Sequence, residues 1–302
     1  MFIVFLFYAI FSSTWTVGKA LLSYSQPAFF VGTRMAISGL LILAYLFFFR
    51  RQEFTLWPSK YRGAFAQVAI IQIFFGYVLE YWAMQYVASS KVSLMFAMTP
   101  FFSVLFSYWL LNERLTRKKL IGLCIGFMGM IVLIVSNRTH EGVMVGHQSL
   151  ISWTEVALFV SIMAYAYGWV VKRTMVTEYE LSPLAVNGVT MFYGGLLALI
   201  SSPFIDVWNP WPVTNVSAFV PLMVLVIIIG NLFGLNVYSW LLKRYSATMV
   251  AFVGFTDPLY VAFYSWLFLG EHITSIFFVS FGIIVCGLSI FYQEELRQGY
   301  VK

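Results

Sequence analysis

Two carboxylates lie where carboxylates are expensive. Glu80 sits in the apolar run FFGYVLEYWAMQYV and Asp257 in VGFTDPLYVAF. An Asp, Lys or Arg at the centre of a membrane helix is disfavoured by roughly 2.5–3.5 kcal/mol, so such a group faces a partner, a cavity or a functional site. A carboxylate there can bind a cationic group or a coupling proton. The bland alternative for Glu80 is snorkelling, or a structural pair with Lys91, just beyond it at the start of the next helix. Asp257 could instead bond a neighbouring helix. Aromatic residues make up 20% of the chain. Tyr77, Tyr81 and Trp82 flank Glu80, and Trp15, Tyr165, Tyr167, Trp169, Tyr238, Trp240 and Tyr260 recur in other apolar runs. A planar or cationic ligand can stack on such rings, although any single aromatic is more often packing or membrane belt. Asn231 and Asn236 must each face protein or water, as glue between helices or as ligands. Lys19 and Arg34 can steer anions or pair with acids. The expected substrate-binding set is Trp15, Tyr77, Glu80, Tyr81, Thr99, Tyr165, Asn236, Asp257 and Tyr260, with Pro100 and Pro258 as hinges, since proline removes a helix hydrogen bond and bends the chain. No catalytic residue, metal site or cofactor is expected. Cys124, Cys286, His140, His147 and His272 lack ligand spacing, and there is no Walker motif, GxSxG or HExxH.

These side chains need elements to hold them, and composition says which. Of 302 residues, 61% are hydrophobic and 10% charged, and the mean hydropathy is +0.85. Soluble domains average about 45–50% apolar and about 25% charged. Thirty charged residues cannot coat a soluble protein of this length, so lipid must be the solvent. A helix needs ~20 apolar residues to cross the bilayer, and the backbone in lipid must satisfy its own hydrogen bonds. Ten segments qualify: about 2–22, 29–49, 64–84, 90–111, 118–136, 152–171, 183–204, 217–242, 247–269 and 273–292. The expected fold class is therefore an all-α integral membrane protein of ten transmembrane helices. Phe47, Phe48 and Phe49 should face lipid. The GxxxG pairs Gly122/Gly126 and Gly230/Gly234 should pack helices closely.

Lys and Arg accumulate in cytoplasmic loops. With the N-terminus inside, Arg50, Arg51, Lys60, Arg62, Arg114, Arg117, Lys118, Lys119, Lys172, Arg173, Lys243, Arg244, Arg297 and Lys302 are cytoplasmic, against Lys19, Lys91 and Arg138 outside. Both termini should be cytoplasmic. That bias also explains the net charge of +6 without nucleic acid as a partner.

The chain repeats itself. At an offset of 158, Ser89 falls on Ala247, Pro100 on Pro258, Leu111 on Leu269, Glu113 on Glu271, Thr116 on Thr274 and Gly129 on Gly287. Glu113 and Glu271 read as caps or gate latches pairing with loop bases. The organisation expected is a first five-helix repeat over 1–136, a linker over 137–151, a second repeat over 152–292 and a cytoplasmic tail over 293–302. An odd number of helices per repeat inverts the second copy. Inverted repeats are a recurring build of secondary transporters, with the substrate between them near the midplane.

The stretch MQYVASSKVSLMFAMTPFFSVLFSYWLLNERLTRKKLIGLCIGFMGMIVL resembles the repeat unit of the drug/metabolite transporter superfamily, in its ten-helix EamA-type members. FSSTWTVGKALLSYSQPAFFVGTRMAISGLLIL is similar to the family's first two helices, and SPLAVNGVTMFYGGLLALI to its seventh. The resemblance covers about 1–292. It implies two inverted five-helix repeats around a cavity lined by helices 1, 3, 4, 6, 8 and 9, and a cargo drawn from amino acids, other metabolites, nucleotide-related compounds or drugs. Glu80, and Asp257 where the first half has Thr99, depart from the family pattern and argue against a neutral cargo.

The expected function is alternating-access transport of a small metabolite across the bacterial inner membrane. Two carboxylates and many aromatics suit an amino acid or a related cationic, aromatic metabolite, S-adenosylmethionine among them. Expected partners are that metabolite and the lipid bilayer, with protons or a counter-substrate as coupling candidates and a monomer or homodimer as the assembly. The alternatives are a membrane scaffold or assembly protein, which requires a packed centre, and a membrane-embedded enzyme, which requires a catalytic cluster that the sequence lacks.

Overall fold

The structure, a computed structural model, describes residues 2–54, 59–86, 92, 95–96, 98–138, 153–257, 259–260, 263 and 275–299. Pro258, Lys91, Glu271, His140, His147, His272 and residues 139–151 of the expected linker lie outside that set. Among the described residues the chain is helical. The helices are α1 (Phe2–Phe11), α2 (Ser13–Leu21), α3 (Pro27–Phe49), α4 (Arg62–Gln67), α5 (Tyr77–Met84), α6 (Thr99–Leu111), α7 (Arg117–Arg138), α8 (Trp153–Thr177), α9 (Pro183–Ile205), α10 (Val216–Val226), α11 (Asn236–Leu241), α12 (Ala247–Val253) and α13 (Ser275–Gln298). Among the described residues, seven stretches are long and apolar enough to span a membrane: Ile3–Leu21, Pro27–Phe49, Ser59–Met84, Trp153–Thr177, Pro183–Ile205, Val216–Leu241 and Phe278–Gln298. Two shorter apolar helices, Thr99–Leu111 and Ala247–Thr256, stand beside them.

Three of the spans are interrupted. The first breaks at Ser12, between α1 and α2. The third and the Val216–Leu241 span each carry nine residues wound as π-helix, Val68–Gly76 and Ile227–Leu235. Their starts are 227 − 68 = 159 residues apart. Wider π turns inside α-helices are often found at functional sites, and the residues that follow these two, Tyr77 and Asn236, open α5 and α11.

Helix α3 packs on α9, and α7 on α13. Glycine permits the first crossing: a Cβ on Gly39 would lie 2.7 Å from Phe192 Cα and 2.8 Å from the Gly188 carbonyl. At the second, a Cβ on Gly122 would lie 2.8 Å from the Gly287 carbonyl. Gly230 departs from expectation, because its nearest neighbours are at ordinary contact distances from 3.4 Å. The outward faces are apolar. Phe48 is 75% and Phe49 76% exposed, while Met35 and Leu46 on the inner face of the same helix are fully buried.

Ends differ from expectation in two places. Helix α8 runs to Thr177, past the expected 171, and takes Lys172 and Arg173 into the bundle. Neither is a free loop charge: Lys172 is fully buried, and Arg173 pairs with Glu113. Helix α13 runs to Gln298, so most of the expected tail over 293–302 is helical. Glu295 there is buried and pairs with Lys119, itself buried, at the start of α7.

Candidate functional site

The break at Ser12 positions the first carboxylate. Ser12 Oγ lies 2.6 Å from the Tyr8 carbonyl and 2.6 Å from Asp257 Oδ1. Its single proton serves one acceptor at a time, so the broken helix and the acid of the other half share a donor. Asp257 follows the 3-10 turn Gly254–Thr256, which ends α12. Nearby, the Tyr8 hydroxyl donates to the Val250 carbonyl at 2.9 Å.

Glu80 is 3% exposed. Four residues past the π segment, it points across to α8, where the Tyr165 hydroxyl donates to Glu80 Oε2. Tyr165 also rests on Tyr77, with centroids 4.7 Å apart, and on Phe96 at 5.2 Å.

Arg34 is the buried cation of the site, 3% exposed. Its Nε donates to Asn231 Oδ1 at 3.2 Å and its Nη1 to the Tyr81 hydroxyl at 2.9 Å. Asn231 returns a bond from Nδ2 to the Arg34 carbonyl at 3.2 Å. The guanidinium lies 5.1–5.4 Å from the ring centroids of Tyr77, Phe30 and Tyr81. A planar, permanently charged fork held by two neutral acceptors and ringed by aromatics keeps its charge available to a ligand.

These groups meet in one cavity of about 90 Å³. Trp15, Tyr77, Glu80, Tyr81, Thr99, Tyr165 and Asp257, all expected at the substrate site, line it together with Arg34, Trp169 and Tyr238. Trp15 Nε1 has no partner among the described residues. Two expected ligands are elsewhere. Asn236 donates to the Leu232 carbonyl at 2.8 Å and accepts from Asn187, so it bonds between helices. The Tyr260 hydroxyl donates to the Phe5 carbonyl at 3.0 Å. Of the two hinges, Pro100 is buried at the start of α6. Lys19 reaches the Met84 carbonyl, tying the end of α2 to the end of α5.

Sequence reasoning missed Ser12, Tyr8 and Asn187. Two adjacent serines in an otherwise apolar run, and an Asn in LAVNGVTM, were the available signals. Neither says which acid or helix the side chain would reach.

The model of the EamA-like transporter family matches residues 1–135 and again 152–293. A protein of Chlamydia muridarum named S-adenosylmethionine/S-adenosylhomocysteine transporter is 32% identical over 302 residues, covering 100% of this chain and 94% of its own. One of the same name from Chlamydia trachomatis serovar L2 is 31% identical, over 100% and 91%. An uncharacterized transporter of Bacillus subtilis, YvbV, is 26% identical over 94% and 88%. A solved crystal structure 16% identical superimposes with a TM-score of 0.70 over 96% of this chain and 95% of that one, a likeness of fold. The named relatives and the family are transporters rather than enzymes. The chain therefore belongs to the EamA-like transporter family, as a multi-pass inner-membrane transporter of a small metabolite.

Proposed function

We propose that this protein carries S-adenosylmethionine across the inner membrane in exchange for S-adenosylhomocysteine. The observation that carries this reading is the charge pattern of the cavity, two carboxylates and one guanidinium among aromatic rings. S-adenosylmethionine presents the complement: a sulfonium and an ammonium, one carboxylate, and a purine that stacks. Glu80 and Asp257 receive the cations, Arg34 the carboxylate, and Trp15, Tyr77 and Tyr81 the adenine. The names of the chlamydial relatives support the same cargo.

A cavity of about 90 Å³ is smaller than the roughly 300 Å³ at which pockets for drug-sized ligands begin. Loading therefore requires the surrounding helices to part. We read the chain as two inverted five-helix repeats, ten helices in all, with both termini cytoplasmic and with alternating access between the halves. The family model matching each half, and the π segments 159 residues apart, support that architecture. The test is counterflow in proteoliposomes preloaded with S-adenosylhomocysteine. Labelled S-adenosylmethionine should accumulate faster than in empty vesicles, and the absence of uptake in both would sink the reading.

A further inference from the structure

Helix α8 presents Tyr165, Trp169 and Lys172 at i, i+4 and i+7, along one face. The first two line the cavity and the third does not. Trp169 is stacked on Tyr238, with centroids 3.8 Å apart and planes 20° from parallel. Lys172 Nζ lies 4.6 Å from the Trp169 ring centroid. The next residue, Arg173, is paired with Glu113 at the end of the bundle. The order along the helix is thus cavity, aromatic pair, buried lysine, closing ion pair.

Lys172 is fully buried. Its ammonium donates to Asn187 Oδ1 at 2.9 Å. Asn187 is in turn held by the Leu235 carbonyl at 2.9 Å, Asn236 Oδ1 at 3.0 Å and Ser239 Oγ at 3.0 Å. The other members of this cluster are neutral, and among the described residues no carboxylate pairs with the lysine. The buried Lys119 and the partly buried Arg173 each have an acid. Packing does not call for a lysine here. A methionine of similar length would fill the space, and Asn187 Oδ1 would keep the Ser239 hydroxyl at 3.2 Å.

We infer that Lys172 is a second anion station on the transport path, which takes the substrate carboxylate from Arg34 when the Trp169–Tyr238 pair swings aside. The inference rests on the carrier reading above. A buried lysine whose partners among the described residues are an amide oxygen and a ring face has, once protonated, capacity for a carboxylate. On this route the substrate leaves along α8, past Trp169 and Lys172 toward the Glu113–Arg173 pair.

The experiment compares Lys172→Met and Lys172→Arg with wild type, in detergent and in proteoliposomes exchanging labelled S-adenosylmethionine. Lys172→Met should bind S-adenosylmethionine as wild type does, keep its thermal midpoint, and exchange about ten-fold more slowly, the scale of one lost hydrogen bond to a charged group. Lys172→Arg should recover about half of the turnover or more, because the charge is retained. Unchanged turnover in Lys172→Met would overturn the inference. So would a parallel fall of midpoint, affinity and turnover, which marks a structural lysine, or an arginine variant as slow as the methionine one. Wild type without flux of any S-adenosyl compound would overturn the carrier reading and this inference together, whereas wild-type flux with an unaffected Lys172→Met would overturn this inference alone.

Discussion

Ser12 Oγ stands 2.6 Å from Asp257 Oδ1, although 245 residues separate them. The contact joins the break in the first span to the turn ahead of Asp257, so the acid of the second half is oriented by a helix of the first. Ser12→Ala removes the described donor to that carboxylate. We expect a loss of about 1–3 kcal/mol in stability, the desolvation penalty of an unsatisfied buried group, read as a lower thermal midpoint. Asp257→Asn should instead leave the midpoint near wild type and weaken S-adenosylmethionine binding about ten-fold, as loss of one charged contact does. Calorimetric titration separates the two, and a wild-type affinity for Asp257→Asn would remove this acid from the site.

Glu80 and Tyr165 form the second such pair. A double-mutant cycle of Glu80→Gln and Tyr165→Phe, read by exchange rate, should show a coupling of roughly 0.5–3 kcal/mol, the range for residues sharing a hydrogen bond. Additive losses would mean that the tyrosine does not orient the acid. If Glu80→Gln and Asp257→Asn each transport at the wild-type rate, the two-carboxylate reading of the cargo fails.

Arg34→Lys keeps the charge and loses the fork. The guanidinium bonds Asn231 and Tyr81 with two different nitrogens, which a single ammonium on a flexible stem cannot reproduce with the same ring stacking. We expect S-adenosylmethionine affinity to fall about ten-fold, the worth of one hydrogen bond to a charged group. An equal affinity in titration would show that charge alone suffices.

Gly39→Ala tests the scaffold apart from the site. Its new Cβ would lie 2.7 Å from Phe192 Cα, in backbone that cannot rotate away. Overpacking of this kind costs about 1–3 kcal/mol. The thermal midpoint should drop while the affinity of the folded fraction stays constant. A midpoint equal to wild type would show that α3 and α9 can separate without loss.

Much of this molecule is written locally. A run of about twenty apolar residues is a span wherever it occurs, because hydrocarbon offers the backbone no other partner. The seven long apolar stretches fall where such runs were expected. Glu80, Arg34 and Asp257 could be singled out for the same reason, since a charge in an apolar run is conspicuous without any knowledge of its neighbours.

Depth and partnership are not local. Lys172, at the end of an apolar run and beside Arg173, has the signature of a loop charge. Only Asn187, from another helix, and the extension of α8 to Thr177 make it a buried one. Asn236 and Tyr260 share the residue type and the helices expected of ligands, yet each turns to a different partner. The sequence by itself determined that this chain lies in a membrane as helices and that two acids are held within them. The tertiary structure decided which acid meets which hydroxyl, which cation faces the cavity and which stands behind it. The physical reason is that burial in lipid depends on one segment's composition, whereas a hydrogen bond depends on two segments meeting at one depth.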